Sequence, residues 1–303
     1  MALRSSFGDI LEPGLHQIFD DKFQEIPELF SKIFHVKDSS KDQEKDSAVT
    51  GFGLAQLTAE GGAIQYEDPI QMYDKSYVHL KYTKGFKVSE ELYEDDLYNV
   101  ISKKPAALAR AFRRTAEYLA SQDFVNAFTS TALGGDGQEL CSTVHPRADA
   151  GTSQSNASAT GITLTETNLE TGLLAMRGQL DDKGMRIMAK ADTVLVPPAL
   201  EKDAWEIVNS TGRSGTANND ANYYSGRLKV ISWDYLTSST AWFLIDSSLH
   251  ELTWFWRKRP EFKQDNAFDT GMALYKSQMR LSHGWSDWRG IWGSKGDGSA
   301  YSG

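Results

Sequence analysis

Residues 90–132 form the longest helical stretch the sequence predicts, and they constrain the fold more than any other segment. Leu108, Phe112, Thr115 and Leu119 mark one apolar stripe, and Phe124, Ala127 and Phe128 carry it further. Pro105 fits the first turn of the second part, where a missing N–H costs little. Glycine in "ALGGDG" (132–137) stops the helix. From 105 to 131 such a helix spans about 40 Å at ~1.5 Å per residue.

The flanking segments read differently. Residues 1–50 form an arm, in which Phe19, Phe23, Ile26, Phe30 and Ile33 follow amphipathic spacing until Pro27 interrupts it. "KDSSKDQEKDS" (37–47) reads as a charged linker. An apolar stripe on a detached arm needs a cover, either its own core or a neighbouring chain. Residues 51–89 read as strands, two of them meeting at Glu60-Gly61-Gly62, where glycine reaches positive φ without penalty. Val78, Leu80 and Tyr82 then alternate with Tyr77, His79 and Lys81, as on a strand with one covered face.

Beyond the helix, 147–163 reads as a long polar loop. Thr165 is placed to cap a helix with the stripe Leu169, Leu173, Met176 and Leu180. Thr193–Val196 reads as a buried strand followed by a helix with Pro198 in its first turn. Residues 211–227 form a second long loop, of a length that usually carries function. "LKVISW" and "AWFLID" read as strands, and 249–292, with five of the eight tryptophans, as an antiparallel sheet. The tail "SKGDGSAYSG" reads as frayed.

Composition sets the class. A chain of 303 residues, 40% apolar and 24% charged, is globular and long enough for two ordinary domains or one interrupted domain. No apolar run approaches the roughly 18 residues a membrane helix needs, and the N-terminus has no apolar export segment. A single cysteine cannot form an internal disulfide, which suits a reducing cytosol. The net charge of -9 argues against a protein that grips nucleic acid. The basic clusters Lys103-Lys104 with Arg110, Arg113 and Arg114, and Arg257-Lys258-Arg259, read as solvated faces or intersubunit ion pairs.

Motifs for chemistry are largely missing. The chain has no phosphate loop, no dinucleotide fingerprint, no H-E-x-x-H, no C-x-x-C and no G-x-S-x-G. "EDD" (94–96) and Asp181-Asp182 read as solvated helix faces, because adjacent helical residues do not face one another. "GGDGQELCSTVHP" (134–146) brings Cys141 and His145 within four residues. Two readings follow, a Cys–His hydrolase or a structured turn with Cys141 as a small buried hydrophobe. The turn reading expects Cys141→Ser and His145→Gln to be mild and Gly135→Val to be harmful, through the positive φ that Gly134, Gly135 or Gly137 supplies.

Four stretches in order resemble the major capsid (head) proteins of tailed phages, the Mu-like major head subunit type. "DDLYNVISKKPAALARAFRRTAEYLASQDFVNAF" is similar to their spine helix, and "GGDGQELCSTVHP" to the turn after it. "VLVPPALEKDAWEIVNS" resembles the strand-and-helix unit of their axial domain, and "DNAFDTGMALYKSQMRLSHGWSDWRGIWGSKG" their closing segment. The likeness covers about 50 to 295 and is weakest in the arm.

The resemblance implies an α+β, HK97-like capsid fold. It has an N-terminal arm (1–50), an extended β-hairpin loop (51–84), a peripheral domain (85–146 and 249–303) and an inserted axial α/β domain (147–248). It implies a structural protein, not an enzyme, with no cofactor and no metal, that assembles as pentamers and hexamers in an icosahedral virion shell inside the bacterial cytoplasm. The shell encloses DNA without sequence-specific binding. The expected assembly contacts are Phe19, Phe23 and Phe30 of the arm, Glu60, Gly61, Gly62 and Tyr66 of the hairpin, and Gly212, Gly215, Asn218, Asn219 and Gly226 of the axial loop. The arm is not preceded by a long helical leader, so scaffolding comes from a separate protein or the chain is a processed form. A portal and a decoration protein are the other expected partners. An encapsulin-like nanocompartment shell shares the fold and is the alternative.

Overall fold

A computed structural model describes residues 7–89, 100–212, 220–267 and 272–301. The chain divides into two compact units, 1–44 with 77–120 and 253–283, and 45–76 with 121–252 and 284–303.

The first unit is built on strands β1 (His35–Asp38), β4 (Leu80–Ser89), β8 (Leu252–Ala267) and β9 (Met272–Trp285), in the order β1-β8-β9-β4. β9 pairs antiparallel with β4 from Leu80↔Leu281 to Ser89↔Met272, and β1 pairs parallel with β8. Helix α1 (Phe7–Glu25) ends before Pro27, and a short 3-10 turn (Phe30–Lys32) follows. Phe19 lies 5.4 Å from Phe262, and Phe30 lies 4.5 Å from Trp254. Both phenylalanines are buried. Helix α2 runs Val100–Val125 with Pro105 inside it. Its buried positions include Leu108, Ala109, Phe112, Ala116 and Ala120, and also Arg113 and Glu117. Arg113 donates to Glu28 at 2.7 Å and to the Phe23 carbonyl at 3.1 Å, while Glu117 accepts the Leu29 N–H at 2.8 Å. The predicted solvated basic face therefore does not hold at Arg113, whose charge is spent inside the chain on the arm.

The second unit is built on β5 (Thr193–Val196), β6 (Lys229–Ser232), β7 (Trp242–Ile245) and β10 (Ile291–Ser294), in the order β10-β7-β5-β6. β5, β7 and β10 are buried along their whole lengths, the apolar signature of a strand covered on both faces. Helix α3 (Glu166–Gly178) starts at Thr165, whose hydroxyl accepts the Asn168 N–H as the sequence suggests. It packs closely on the sheet through Gly172, where a Cβ would come within 2.8 Å of Leu244 and 2.9 Å of Trp292. Helix α4 (Glu201–Asn209) follows the 3-10 turn Pro198–Leu200.

Several expectations change. The charged segment 37–47 is not a linker. It contains the end of β1 and most of β2 (Gln43–Val49), because a ladder needs only backbone groups and an edge strand tolerates charged side chains. β2 pairs with β3 (Gln71–Val78), so one strand of the hairpin stem comes from outside the segment expected to be strand, and 51–70, on either side of the tip, carries no ladder. On β3 and β4 the covered face at 77–80 is that of Tyr77 and His79, while Val78 and Leu80 are exposed. The closing segment divides, since β10 pairs with β7 and not with the aromatic strands. The tail is not frayed up to Tyr301: Gly161 donates to Ser299, and Tyr301 to Ala159.

Candidate functional site

The turn after α2 is a buried polar clasp. The Gly134 N–H donates to the Gln138 carbonyl at 2.7 Å, and Gly137 has φ +76°. Gly135 does not have a positive φ; a Cβ there would crowd the Asp74 carbonyl at 3.1 Å and Tyr73 at 3.2 Å. Cys141 is 0% exposed, and burial, reinforced by the Glu139 carboxylate, pushes its thiol well above the usual range. A thiol held in that state is a core side chain and not a nucleophile.

His145 is equally buried, between Asp136 at 2.7 Å and Asn156 at 2.9 Å, with its ring stacked on Trp288 at 4.3 Å. The expected mildness of His145→Gln is therefore corrected, because an amide side chain cannot reproduce both contacts together with the stack. Asn156, one polar residue in the stretch 147–163 that reads as loop, completes the clasp. Its amide oxygen accepts the Ser142 N–H, and its amide N–H donates to the Leu140 carbonyl, both at 2.8 Å. The Tyr301 hydroxyl lies within reach of both the Cys141 carbonyl, at 2.9 Å, and Glu139. A lone asparagine in a polar stretch leaves no periodic signal. The arrangement can hold a turn in place, and it presents no reactive atom to solvent.

The hairpin is the opposite case. At the end of its stem the Thr50 N–H donates to the Ile70 carbonyl, and the Ile70 N–H to the Thr50 hydroxyl, each at 2.8 Å. Asp74 holds the stem to Lys45 at 2.7 Å, to Gln71 at 3.1 Å and to Ser47, and these partners lower its carboxyl to about 2. Farther out, the Gly53 N–H donates to Glu67 at 2.8 Å, and Glu67 also meets Lys183 at 2.7 Å. The tip turns at Gly61, with φ +77°, and the Gly62 N–H donates to Ala59 at 2.8 Å. Glu60, Gly61 and Gly62 are exposed. So are Phe52, Leu54, Leu57, Ile64 and Tyr66, the last at 92%. Five large apolar side chains on one unladdered segment form a surface of the kind that water disfavours and a partner covers.

The remaining predicted contacts are scattered. Phe19 and Phe30 are covered by the chain itself, and Phe23 lies under the Arg113 guanidinium at 4.0 Å. Within one subunit Phe19 and Phe30 are therefore packing residues, while Phe23 is half-buried. Gly212 bridges Ala221, and Gly226, with φ +70°, donates to the Val208 carbonyl at 2.9 Å. Gly215, Asn218, Asn219 and the acidic run 94–96 lie outside the described residues. Asp182 of the acidic pair is buried against Arg289 at 3.1 Å rather than solvated. Among the described residues no helix is long and apolar enough to cross a membrane, and no group of three or more His, Cys, Asp or Glu could hold a metal ion.

A family model described as phage capsid protein matches residues 73–294. The chain belongs to the phage capsid protein family. Solved structures agree on the fold. The capsid of bacteriophage JBD30, decorated with minor capsid protein trimers, is similar at TM-score 0.55 and 15% identity, covering 70% of this chain and 92% of that one. A chain of Microbacterium phage Oxtober96 is similar at TM-score 0.54 and 11% identity, covering 86% and 87%. The capsid of the native GTA particle is similar at TM-score 0.54 and 12% identity, covering 88% and 90%. No curated protein matches the capsid protein by sequence. Its α+β architecture is HK97-like, and it is a major capsid shell protein. Nothing in these matches favours the nanocompartment reading.

Proposed function

We propose that this capsid protein closes a head shell of pentamers and hexamers by laying its hairpin on a neighbouring copy. One observation carries the reading: the exposed apolar segment 51–70 at the end of a hydrogen-bonded stem. A shell subunit must make several heterologous contacts that close, and an extended hairpin reaches area that a compact body cannot. Glu60, Gly61, Gly62 and Tyr66 are the proposed contact residues of the tip. The loop 211–227 is the proposed contact at the capsomer axis, in a domain that corresponds to about 147–248. The Mu-like type, a separate scaffold, a portal, decoration and assembly in the host cytoplasm belong to the same reading. So does DNA enclosed without sequence readout. The subunit acts structurally; the buried, protonated Cys141 supports a role in packing and not in catalysis.

The test is deletion of residues 58–64. The subunit keeps its fold, since the tip lies outside all three described sheets, and assembly fails or gives aberrant particles in negative-stain micrographs. Normal shells from the deletion variant would refute the reading.

A further inference from the structure

His79 lies at the break between β3 and β4, where the hairpin leaves the four-stranded sheet of the first unit. It is buried, and both ring nitrogens are engaged. Nε2 lies 3.1 Å from the Ser39 hydroxyl, in the turn after β1, and Nδ1 lies 3.0 Å from the Ser282 hydroxyl of β9. The bonding around Ser39 fixes the proton positions. Ser39 donates its only hydroxyl proton to Glu44 at 2.7 Å, and its oxygen also accepts the Lys41 N–H at 3.2 Å. Nε2 must therefore carry a hydrogen and donate to Ser39. Nδ1 is then the acceptor for the Ser282 hydroxyl. This pattern satisfies every group with one ring proton. A second proton would face the oxygen of Ser282, itself buried, and force that hydroxyl to turn away.

The charges around the ring come from three further elements. The turn and the start of β2 supply Lys41, Asp42 and Glu44, β8 supplies Arg257, and β9 supplies Arg280, which lies 3.7 Å from Asp42. Phe255 of β8 meets the ring edge-on at 6.5 Å. Burial is the largest influence and disfavours the charged ring; Arg280 and Arg257 act with it, and Glu44 and Asp42 against it.

We propose that His79 is an acid-released latch, fastening the turn 39–44 of the arm to the root of the hairpin and to β9 while the ring holds one proton, and letting go when it takes up a second. The latch stands on this geometry alone. Its consequence for assembly, through the root of the hairpin, rests on the reading of the hairpin as the shell contact.

The sign is set by linkage. A histidine whose folded-state affinity for protons is lowered contributes stability that is present above its unfolded value near 6.5 and is lost as pH falls toward the folded value. In that window, opening of a segment released by one proton rises by up to about tenfold per pH unit. The experiment uses the full chain. Hydrogen exchange of residues 39–44, corrected for its intrinsic pH dependence, is measured from pH 7.5 to 5 in the wild type and in His79→Gln. Glutamine keeps a neutral hydrogen-bonding group at the position, able to meet one of the two serines, and does not titrate. The expected result is protection that falls with acid in the wild type and stays flat in the variant. Equal pH dependence in the two proteins overturns the latch. Carbon-13 histidine spectra of the wild type keep the test open if the variant does not fold. A His79 ring already doubly protonated at pH 7, or one that titrates without loosening 39–44, also overturns it. An acid-loosened segment beside normal shells from the 58–64 deletion counts against the hairpin reading and leaves the latch standing.

Discussion

Replacing Asn156 by alanine tests whether the turn after α2 is a structural clasp. The side chain is fully buried and serves three partners, the Ser142 N–H, the Leu140 carbonyl and the His145 ring. Truncation leaves each without its bond in the interior, at about 1–3 kcal/mol apiece. A water molecule entering the vacated volume recovers part of the loss. The expected destabilisation is therefore about 3–5 kcal/mol. For a cooperative unit of this size, where 1 kcal/mol corresponds to ~2–4 °C, the melting temperature falls by roughly 6–20 °C. The assay is thermal and urea unfolding of the unassembled subunit, with Cys141→Ala as the comparison. The cysteine is as deeply buried, and alanine there loses packing alone, about 1–2 kcal/mol. An Asn156→Ala protein within ~1 kcal/mol of wild type, or one more stable than Cys141→Ala, would show that the amide's bonds do not hold the turn.

Two further substitutions probe the arm and the stem. Arg113→Ala strands Glu28 and exposes the Phe23 carbonyl, so the arm should detach at a cost of about 3 kcal/mol, read as faster proteolysis between 7 and 33; unchanged cleavage would mean the pair is dispensable. Asp74, lowered to about 2 by Lys45, Ser47 and Gln71, stabilises the stem above its ordinary value of 3.8, and that contribution is lost as pH falls through about 2. Exchange protection of β2 and β3 should therefore weaken between pH 4 and 2 in the wild type and vary less in Asp74→Asn.

Local chemistry determined much of this protein by itself. The stripe on α2, the cap at Thr165, the apolar run of β5 and the positive-φ glycine at the hairpin tip were all legible, because each depends on neighbours a few residues away. The capsid resemblance was legible in the order of such elements. The tertiary structure decided the rest, because strand pairing and burial depend on residues distant in the chain. The polar segment 37–47 became strand only because β8 and β3 offer backbone partners. Val78 and Leu80 point outward while Tyr77 and His79 are buried, since the covered face is set by what packs on it and not by hydropathy. Arg113 and Asn156 look like surface residues in sequence, yet both are buried. Each satisfies its polar groups on partners 85 and 16 residues away, Glu28 and Leu140, and no local pattern carries information over those separations.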